Sequence, residues 1–410
     1  MKGLLLMKNT AEVKSFYVYV RTSCPRRSLD ASKLYRYFVE NNLKPVDDPK
    51  NADLIVIYTC GGFNYSEELS ILTIENSLKT SAKVVITGCL PKINPARLRT
   101  YGKALLMPTE NLGQLDSLIR AKVPYSHGPN PSISCGVNDL YRGSFFQRFK
   151  RNIGFSFDSL RVGNTYVKKK VLRQPKYSQL SQEQYKLEIA RGCLGSCSYC
   201  AIKKGMEKFH SFPEEQIIGN FKSGLKEGYR DFALIAGDIG CYGVDIETNL
   251  PNLLKKLFAV DGDYKLTLVD LNARWLVKYY ADLLSILKVN VAKVSRIIIP
   301  VQSGSDRILK LMNRYYAIED VKKCILDLQK NIPTLMLETH IMVGFPGETT
   351  EDFQKSVELI REIKFADIQL YKYEDRPGTT SSMLPDKVGK RTILKRAKIL
   401  AKEANVTYAF

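Results

Sequence analysis

Short apolar runs alternate with longer amphipathic segments in the first part of the chain. The runs are rich in β-branched and aromatic residues and occupy 16–20, 54–58 and 84–86. The amphipathic segments occupy 28–41 and 66–79, and a fourth unit follows at 104–107 and 111–121. Uninterrupted apolar runs of this length are typical of strands that a parallel sheet buries on both faces. We therefore predict an α/β domain over 1–125 with a doubly wound parallel sheet.

The same alternation resumes after Lys186 and continues toward the end of the chain. Six apolar strand candidates lie at 187–189, 232–235, 266–269, 297–299, 340–343 and 368–371. Amphipathic segments separate them, as expected for repeated βα units with parallel strands. Six such units fit a partial or full barrel better than an open sheet, so we assign 181–410 to a second domain, for which a partial (β/α)6 barrel is the expected fold.

Residues 126–180 have a different character from either predicted domain. The segment opens with turn chemistry at His127-Gly128-Pro129-Asn130-Pro131 and then carries ten lysines and arginines interleaved with aromatic residues. This basic connector is consistent with a solvated linker that packs along a domain edge. It is equally consistent with a strip that contacts nucleic acid.

Charge and length narrow the class of protein. The 410 residues suit two domains, and 62 Lys and Arg against 42 Asp and Glu leave a net charge of +20. The electrostatic field of a net positive charge this large favours a polyanionic or acidic macromolecular partner. No apolar run approaches 18 residues and the first residues lack a signal-peptide pattern, so we expect a cytoplasmic protein that does not span a membrane.

Three closely spaced cysteines follow the first strand of the second domain: Cys193, Cys197 and Cys200. A reducing compartment disfavours disulfides, which leaves metal binding or catalysis as the expected role of these thiols. An iron–sulfur cluster normally takes four thiolates, so three would leave one iron open to a small molecule. A zinc site would need a fourth ligand, for which His210 is the local candidate.

The C-x3-C-x2-C spacing, with Tyr199 before the last cysteine, resembles the radical S-adenosylmethionine (SAM) superfamily. The resemblance implies a [4Fe–4S] cluster on Cys193, Cys197 and Cys200, whose open iron binds the methionine part of SAM. Electron transfer from a reducing donor would then release a 5′-deoxyadenosyl radical. The hard chemistry would belong to the cofactors, while the protein would orient them and exclude water.

Three further cysteines each follow a predicted strand of the first domain: Cys24, Cys60 and Cys89. Because parallel strands end at one edge of a sheet, these thiols are expected to gather where open α/β sheets bind ligands. They could hold a second cluster, or they could be small buried residues, as free cysteines often are. The stretches Thr59-Cys60 and 85–89 resemble the N-terminal domain of the radical methylthiotransferases, which favours the second [4Fe–4S] cluster.

The resemblance to the methylthiotransferases extends over most of the chain outside the connector. It includes 234–238, 242–245, 300–309, 312–314, 343–349 and 376–379. In this context we expect a group of residues to contact the cofactor: Tyr199, Gly237, Asp238, Gln302, Ser303, Gly344 and Gly347. Ordinary packing, turn or capping roles are the alternatives for these positions.

The family commonly ends in a small β-barrel that engages the substrate, and the residues after 379 are too few to form one. The expected activity is conversion of C–H to C–S–CH3 with two [4Fe–4S] clusters and SAM. A tRNA adenosine is the favoured substrate because of the charge and the family's usual task. A peptide or protein side chain is the alternative, and a cluster-bearing RNA-binding module without enzymatic activity is a third hypothesis.

Overall fold

The computed structural model describes residues 12–20, 24–127, 184–403 and 406–408. Two parallel α/β sheets account for most of these residues, as the hydrophobic pattern predicted. The basic connector lies almost entirely outside the described residues, so both interpretations of it stay predictions. None of the described helices is long and apolar enough to cross a bilayer.

The N-terminal sheet contains five parallel strands: β1 (Ser15–Val20), β2 (Lys44–Pro45), β3 (Leu54–Thr59), β4 (Lys83–Gly88) and β5 (Leu105–Leu106). Its helices are α1 (Pro25–Glu40), α2 (Asn64–Ser77), α3 (Leu90–Ile93) and α4 (Leu115–Ile119). The order across the sheet is β2-β1-β3-β4-β5. Because the order reverses at β1, the crevice between the ends of β1 and β3 is the topological switch point, where such sheets bind ligands.

The middle of this sheet is buried on both faces, which explains its uninterrupted apolar runs. Every residue of β3 is buried, and Phe16, Val18, Val56 and Val85 on adjacent strands have no exposed surface. The helix predicted over 111–121 is divided into a 3-10 helix (Thr109–Gln114) and α4. The doubly wound fold therefore agrees with the prediction.

The second sheet contains seven parallel strands: β6 (Tyr185–Glu188), β9 (Asp231–Ile235), β10 (Lys265–Leu268), β11 (Val294–Gln302), β12 (Met336–Val343), β13 (Asp367–Lys372) and β14 (Val406–Tyr408). A two-stranded antiparallel ribbon joins β7 (Ala190–Arg191) to β8 (His210–Ser211). The covering helices are α5 (Glu214–Lys226), α6 (Leu250–Phe258), α7 (Ala273–Lys278), α8 (Tyr280–Val289), α9 (Asp306–Leu311), α10 (Ile318–Asn331), α11 (Thr350–Ile363) and α12 (Lys390–Glu403).

This sheet is a curved series in the order β14-β13-β12-β11-β10-β9-β6. Its edge strands β14 and β6 do not pair with each other in the described part of the chain, which gives the partial barrel that the six βα units predicted. The six predicted strands correspond to β6 and β9–β13. The pattern did not reveal β14, a three-residue edge strand beyond α12.

Helix α12 has two distinct faces. Ile393, Ala397 and Leu400 are buried against the barrel. The opposite face carries a row of exposed cations at i, i+4, i+7 and i+11, which we call the α12 stripe: Arg391, Lys395, Lys398 and Lys402. The spacing aligns them along one side of the helix, facing solvent.

A buried ion pair connects the two domains. Arg376, which follows β13, pairs with Glu67 of α2, and both side chains are 4% exposed. The Arg376 guanidinium also donates to the carbonyl of Gly61 at 2.6 Å, and the amide of Asn64 donates to Glu374 at 2.8 Å. The ends of the two sheets therefore face each other across a fixed interface.

Candidate active site

A cavity of about 310 Å³ lies between the carboxyl ends of the two sheets. From the N-terminal domain, its wall includes Cys24, which follows β1, and Phe63, which lies beyond β3. The second domain contributes residues at the carboxyl ends of β9, β10 and β11, with Gly237, Asp270 and Gln302 among them. The cavity therefore occupies the position at which parallel sheets of both kinds bind ligands.

The three cysteines of the second domain all open onto this cavity, in the loop that follows β7. A Cβ placed on Gly195 would lie 3.2 Å from Cys193 Sγ and 3.9 Å from Cys197 Sγ, so both sulfurs face this glycine. The amide of Gly195 donates to Cys193 Sγ at 3.2 Å. Burial, with the adjacent Cys197, raises the pKa of the Cys200 thiol to about 12.

A buried arginine lies beside this cysteine loop. Arg314 Nη1 is 3.6 Å from Cys197 Sγ and 3.4 Å from the hydroxyl of Tyr199, and its Nη2 donates to the carbonyl of Pro300. Tyr199 lines the cavity and also packs against the apolar cluster that includes Phe345. The guanidinium therefore supplies a positive charge beside the three thiols.

The three cysteines of the first domain follow adjacent strands and gather at one edge of the sheet. Cys24 lines the cavity, while Cys60 lies beside Gly62, whose Cβ position would be 3.8 Å from Cys60 Sγ. Burial, with nearby Cys89 and Cys24, raises the pKa of the Cys60 thiol to about 11. Cys89 is 7% exposed and lies under Gly205 of the second domain.

Among the described residues, no three Cys, His, Asp or Glu side chains converge closely enough to hold one metal ion. A [4Fe–4S] cluster on either cysteine set therefore stays a prediction. The zinc alternative with His210 is not supported, because His210 lies outside the cavity wall.

Besides Tyr199, three residues expected to contact the cofactor line the cavity. A Cβ on Gly237 would be 2.2 Å from the Gly192 carbonyl, so only glycine fits there. Gln302 adopts φ +73°, and its buried Oε1 has no hydrogen-bond partner. Asp238 accepts from the amide of Gly240 at 3.0 Å, and so caps the 3-10 helix Ile239–Cys241. An unpaired buried carbonyl oxygen and a close backbone approach are features that suit a polar cofactor.

Three other expected contacts do not reach the cavity wall. The hydroxyl of Ser303 is fully buried and accepts from the amide of Ser305 at 3.2 Å. Gly344 has φ +79°, and its amide donates to Glu348 at 2.8 Å. Gly347 faces Leu311 and Arg307 rather than the cavity. Ser303 belongs to the turn that follows β11, and Gly344 and Gly347 belong to the turn that follows β12.

Asp270 and His340 are ionisable residues of the cavity that were not singled out as site residues from the sequence. Asp270 lies two residues after the end of β10, and desolvation in the cavity together with nearby Asp238 raises the pKa of its carboxyl to about 6. His340 Nδ1 is 3.9 Å from Asp270 Oδ1, and burial and Arg314 lower the pKa of His340 to about 3. The same strand-end argument that selected the cysteines also identifies Asp270, since it follows a predicted strand.

Comparisons with known proteins find family matches in both domains. Residues 187–360 match the radical SAM superfamily, and residues 17–107 match the uncharacterized protein family UPF0004. A radical S-adenosylmethionine methyltransferase, TsrM from Kitasatospora setae, solved with cobalamin and a [4Fe–4S] cluster, superposes with a TM-score of 0.58. It shares 13% identity, over 90% of this chain and 77% of that one, which supports the fold alone. The chain is thus a radical SAM enzyme, and it binds SAM and an iron–sulfur cluster.

Two curated relatives define the family more narrowly. A "Probable threonylcarbamoyladenosine tRNA methylthiotransferase" from Pyrococcus horikoshii is 31% identical over 89% of this chain and 78% of that protein. A ribosomal protein uS12 methylthiotransferase from Clostridium tetani is 30% identical over 91% of this chain and 78% of that protein. The chain belongs to the radical SAM methylthiotransferase family.

Proposed function

We propose that this enzyme uses two [4Fe–4S] clusters to convert a C–H bond of an RNA substrate to C–S–CH3. The observation that carries the proposal is the shared cavity, onto which Cys193, Cys197 and Cys200 open, together with Cys24 of the other set. A reaction that activates carbon at one centre and delivers sulfur from another needs both centres at one enclosed place.

The second-domain cysteines are assigned to the cluster that binds SAM. Three thiolates leave one iron without a protein ligand, which is the position that SAM needs. When bound, this cluster and SAM supply the radical that removes a hydrogen atom from the substrate. Arg314 holds a positive charge beside Cys197. Tyr199, within the cysteine loop, packs against the apolar cluster that includes Phe345.

The first-domain cysteines are assigned to the cluster that presents the sulfur. Cys24 and Cys60 follow β1 and β3, on the two sides of the topological switch point, and Cys89 follows β4. A second set of three thiolates again leaves one iron open, here for a sulfur or methylsulfide group. A second SAM molecule would provide the methyl group.

The remaining residues of the cavity position SAM and the substrate. Gln302 has a buried, unpaired carbonyl oxygen that can accept from the amine of SAM. Gly237 allows the backbone to approach a ligand, and Asp238 holds the adjacent turn through the amides of Gly240 and Asn272. Walls contributed by both domains exclude water, which protects reactive intermediates from side reactions.

A tRNA adenosine is the substrate that we favour. The named activity of the Pyrococcus relative, the net charge of +20 and the α12 stripe all support a polyanionic substrate. The Clostridium relative instead supports a ribosomal protein as the alternative substrate. Mass spectrometry of each candidate after incubation with SAM and a reductant distinguishes them: a methylthio group on a tRNA nucleoside supports the proposal, and one on the protein alone contradicts it.

The cluster count is tested by iron analysis after anaerobic reconstitution. We expect about eight irons per chain in the wild type and about four when Cys193, Cys197 and Cys200 are all replaced by Ala. A chain with Cys324→Ala is the matched control and should retain about eight, because this thiol is buried in α10, away from the cavity. About four irons that fall to none would contradict the second cluster.

A further inference from the structure

Arg27 is a buried arginine at the interface between the two domains. It lies in the first turn of α1, three residues after Cys24, and is 6% exposed. Its Nη1 donates to Asp30 Oδ2 at 2.8 Å, and its Nη2 donates to the carbonyl of Gly205, in the other domain, at 2.6 Å. One guanidinium thus makes an ion pair within its own domain and a hydrogen bond across the interface.

The same guanidinium is linked to the first-domain thiols through Gly205, which accepts its hydrogen bond and packs on Cys89. Burial opposes its charge, but Cys89, Asp30 and Cys24 together raise the pKa of Arg27 well above its usual value. Gly205, which accepts from Arg27, packs directly on Cys89: a Cβ at Gly205 would lie 3.1 Å from Cys89 Sγ. The cation, the thiols and the interface contact therefore share one small region.

A second contact extends the link to the other end of the second-domain cysteine loop. The remaining oxygen of Asp30, Oδ1, accepts from Arg191 Nη2 at 3.2 Å. Arg191 stands two residues before Cys193, and Gly205 stands five residues after Cys200. Arg27 and Asp30 consequently hold both ends of the 191–205 loop against α1.

We propose that Arg27 is a positioning residue that fixes the spacing of the two clusters and supplies the positive charge beside the first-domain cluster. The inference rests on the second cluster of the proposed function. A guanidinium suits this role because its fork donates in two fixed directions, whereas a lysine ammonium presents a point charge. A buried cation beside a cluster with three thiolates stabilises the reduced, more negative state, so it raises the reduction potential.

The charge is tested in the Cys193/Cys197/Cys200→Ala chain, which would hold the first-domain cluster alone. Its midpoint potential is followed by electron paramagnetic resonance during a redox titration. Arg27→Gln should shift the midpoint potential to more negative values. Arg27→Lys should keep the potential close to that of the chain with Arg27. Arg36→Gln, on the exposed face of α1, is the matched control and should leave the potential unchanged.

The spacing is tested in the full chain with both clusters reduced. Magnetic coupling between the clusters should change in Arg27→Lys as well as in Arg27→Gln, because an ammonium cannot replace the fork between Asp30 and Gly205. Coupling and potential equal to wild type in Arg27→Gln, with iron retained, would overturn the role of Arg27 alone. Loss of all iron from the triple-Ala chain would overturn the second cluster, and this inference with it.

Discussion

Replacement of Arg376 by Met removes the cation that joins the two domains through Glu67. In the native chain this guanidinium also donates to the carbonyl of Gly61 at 2.6 Å. The partners that remain for Glu67 are the side-chain amide of Asn94, which donates to Oε1 at 2.9 Å, and Arg97, whose Nη1 is 3.6 Å away. Part of the charge of Glu67 is therefore left without compensation.

The magnitude follows from the burial of the pair. Removal of one partner from a buried ion pair costs about 3–5 kcal/mol of the free energy of unfolding. The matched control is Arg361→Met, which breaks a two-bond pair with Glu403 at 2.6 and 2.8 Å. The side chain of Arg361 is 54% exposed, so its loss should cost no more than about 1 kcal/mol.

Urea unfolding measures both variants. Circular dichroism follows the whole chain, and the fluorescence of Trp275, the single tryptophan, follows the second domain. Arg376→Met should lower the urea midpoint by both signals, because each domain loses the stabilisation that it gains from docking with the other. The double replacement Arg376→Met with Glu67→Met should recover most of the loss, since no buried charge is then left unpaired. A cost for Arg376→Met equal to that of Arg361→Met would refute the reasoning.

Three further predictions concern the cofactor, pH and RNA. Cys197→Ala should abolish reductive cleavage of SAM while Cys324→Ala leaves it intact, measured as 5′-deoxyadenosine by chromatography; cleavage retained in Cys197→Ala would contradict the cluster assignment. Burial, with Asp367 nearby and against the opposing effect of Arg296, raises the pKa of Glu338 from 4.5 to about 7. The folded state thus keeps a proton that the unfolded chain releases, so stability conferred by this group falls as pH rises from about 4.5 to about 7. Across this pH range, the melting temperature of Glu338→Gln should fall less than that of the wild type. An equal fall in both proteins would contradict this role of Glu338. Serine at all four positions of the α12 stripe should weaken tRNA binding and reduce its salt dependence, by about one unit of slope for each phosphate that the helix no longer neutralises; unchanged slopes would exclude the stripe from RNA binding.

The strands were predictable from the sequence because both sheets bury their strands on two faces. The uninterrupted run of β3, for example, reflects a strand with no exposed residue. Elements that lack this burial were not predicted from the sequence. Strand β2 (Lys44–Pro45) is two residues long and exposed, and β14 (Val406–Tyr408) is a three-residue edge strand that pairs with β13 alone in the described residues. Short edge strands carry too few residues for a pattern.

Part of the site was predictable because parallel strands end together. From the sequence alone, that rule predicted that Cys24, Cys60 and Cys89 lie at one edge of the sheet. Their roles as ligands stay predictions. Interactions that depend on tertiary packing were out of reach: Arg376 reaches Glu67 across 309 positions. No local pattern distinguishes such an arginine from a solvated one, since its partner is set by the docking of the two domains.

Gly205 bears on the order in which the enzyme matures. It covers Cys89, and a Cβ there would approach the Cys89 Cβ to 2.8 Å, so even a methyl group is too large for the gap. If Cys89 is a cluster ligand, a scaffold protein that donates iron and sulfur cannot reach it while the two domains are docked. Cluster insertion would then precede docking, or require the interface that Arg376 and Glu67 join to reopen.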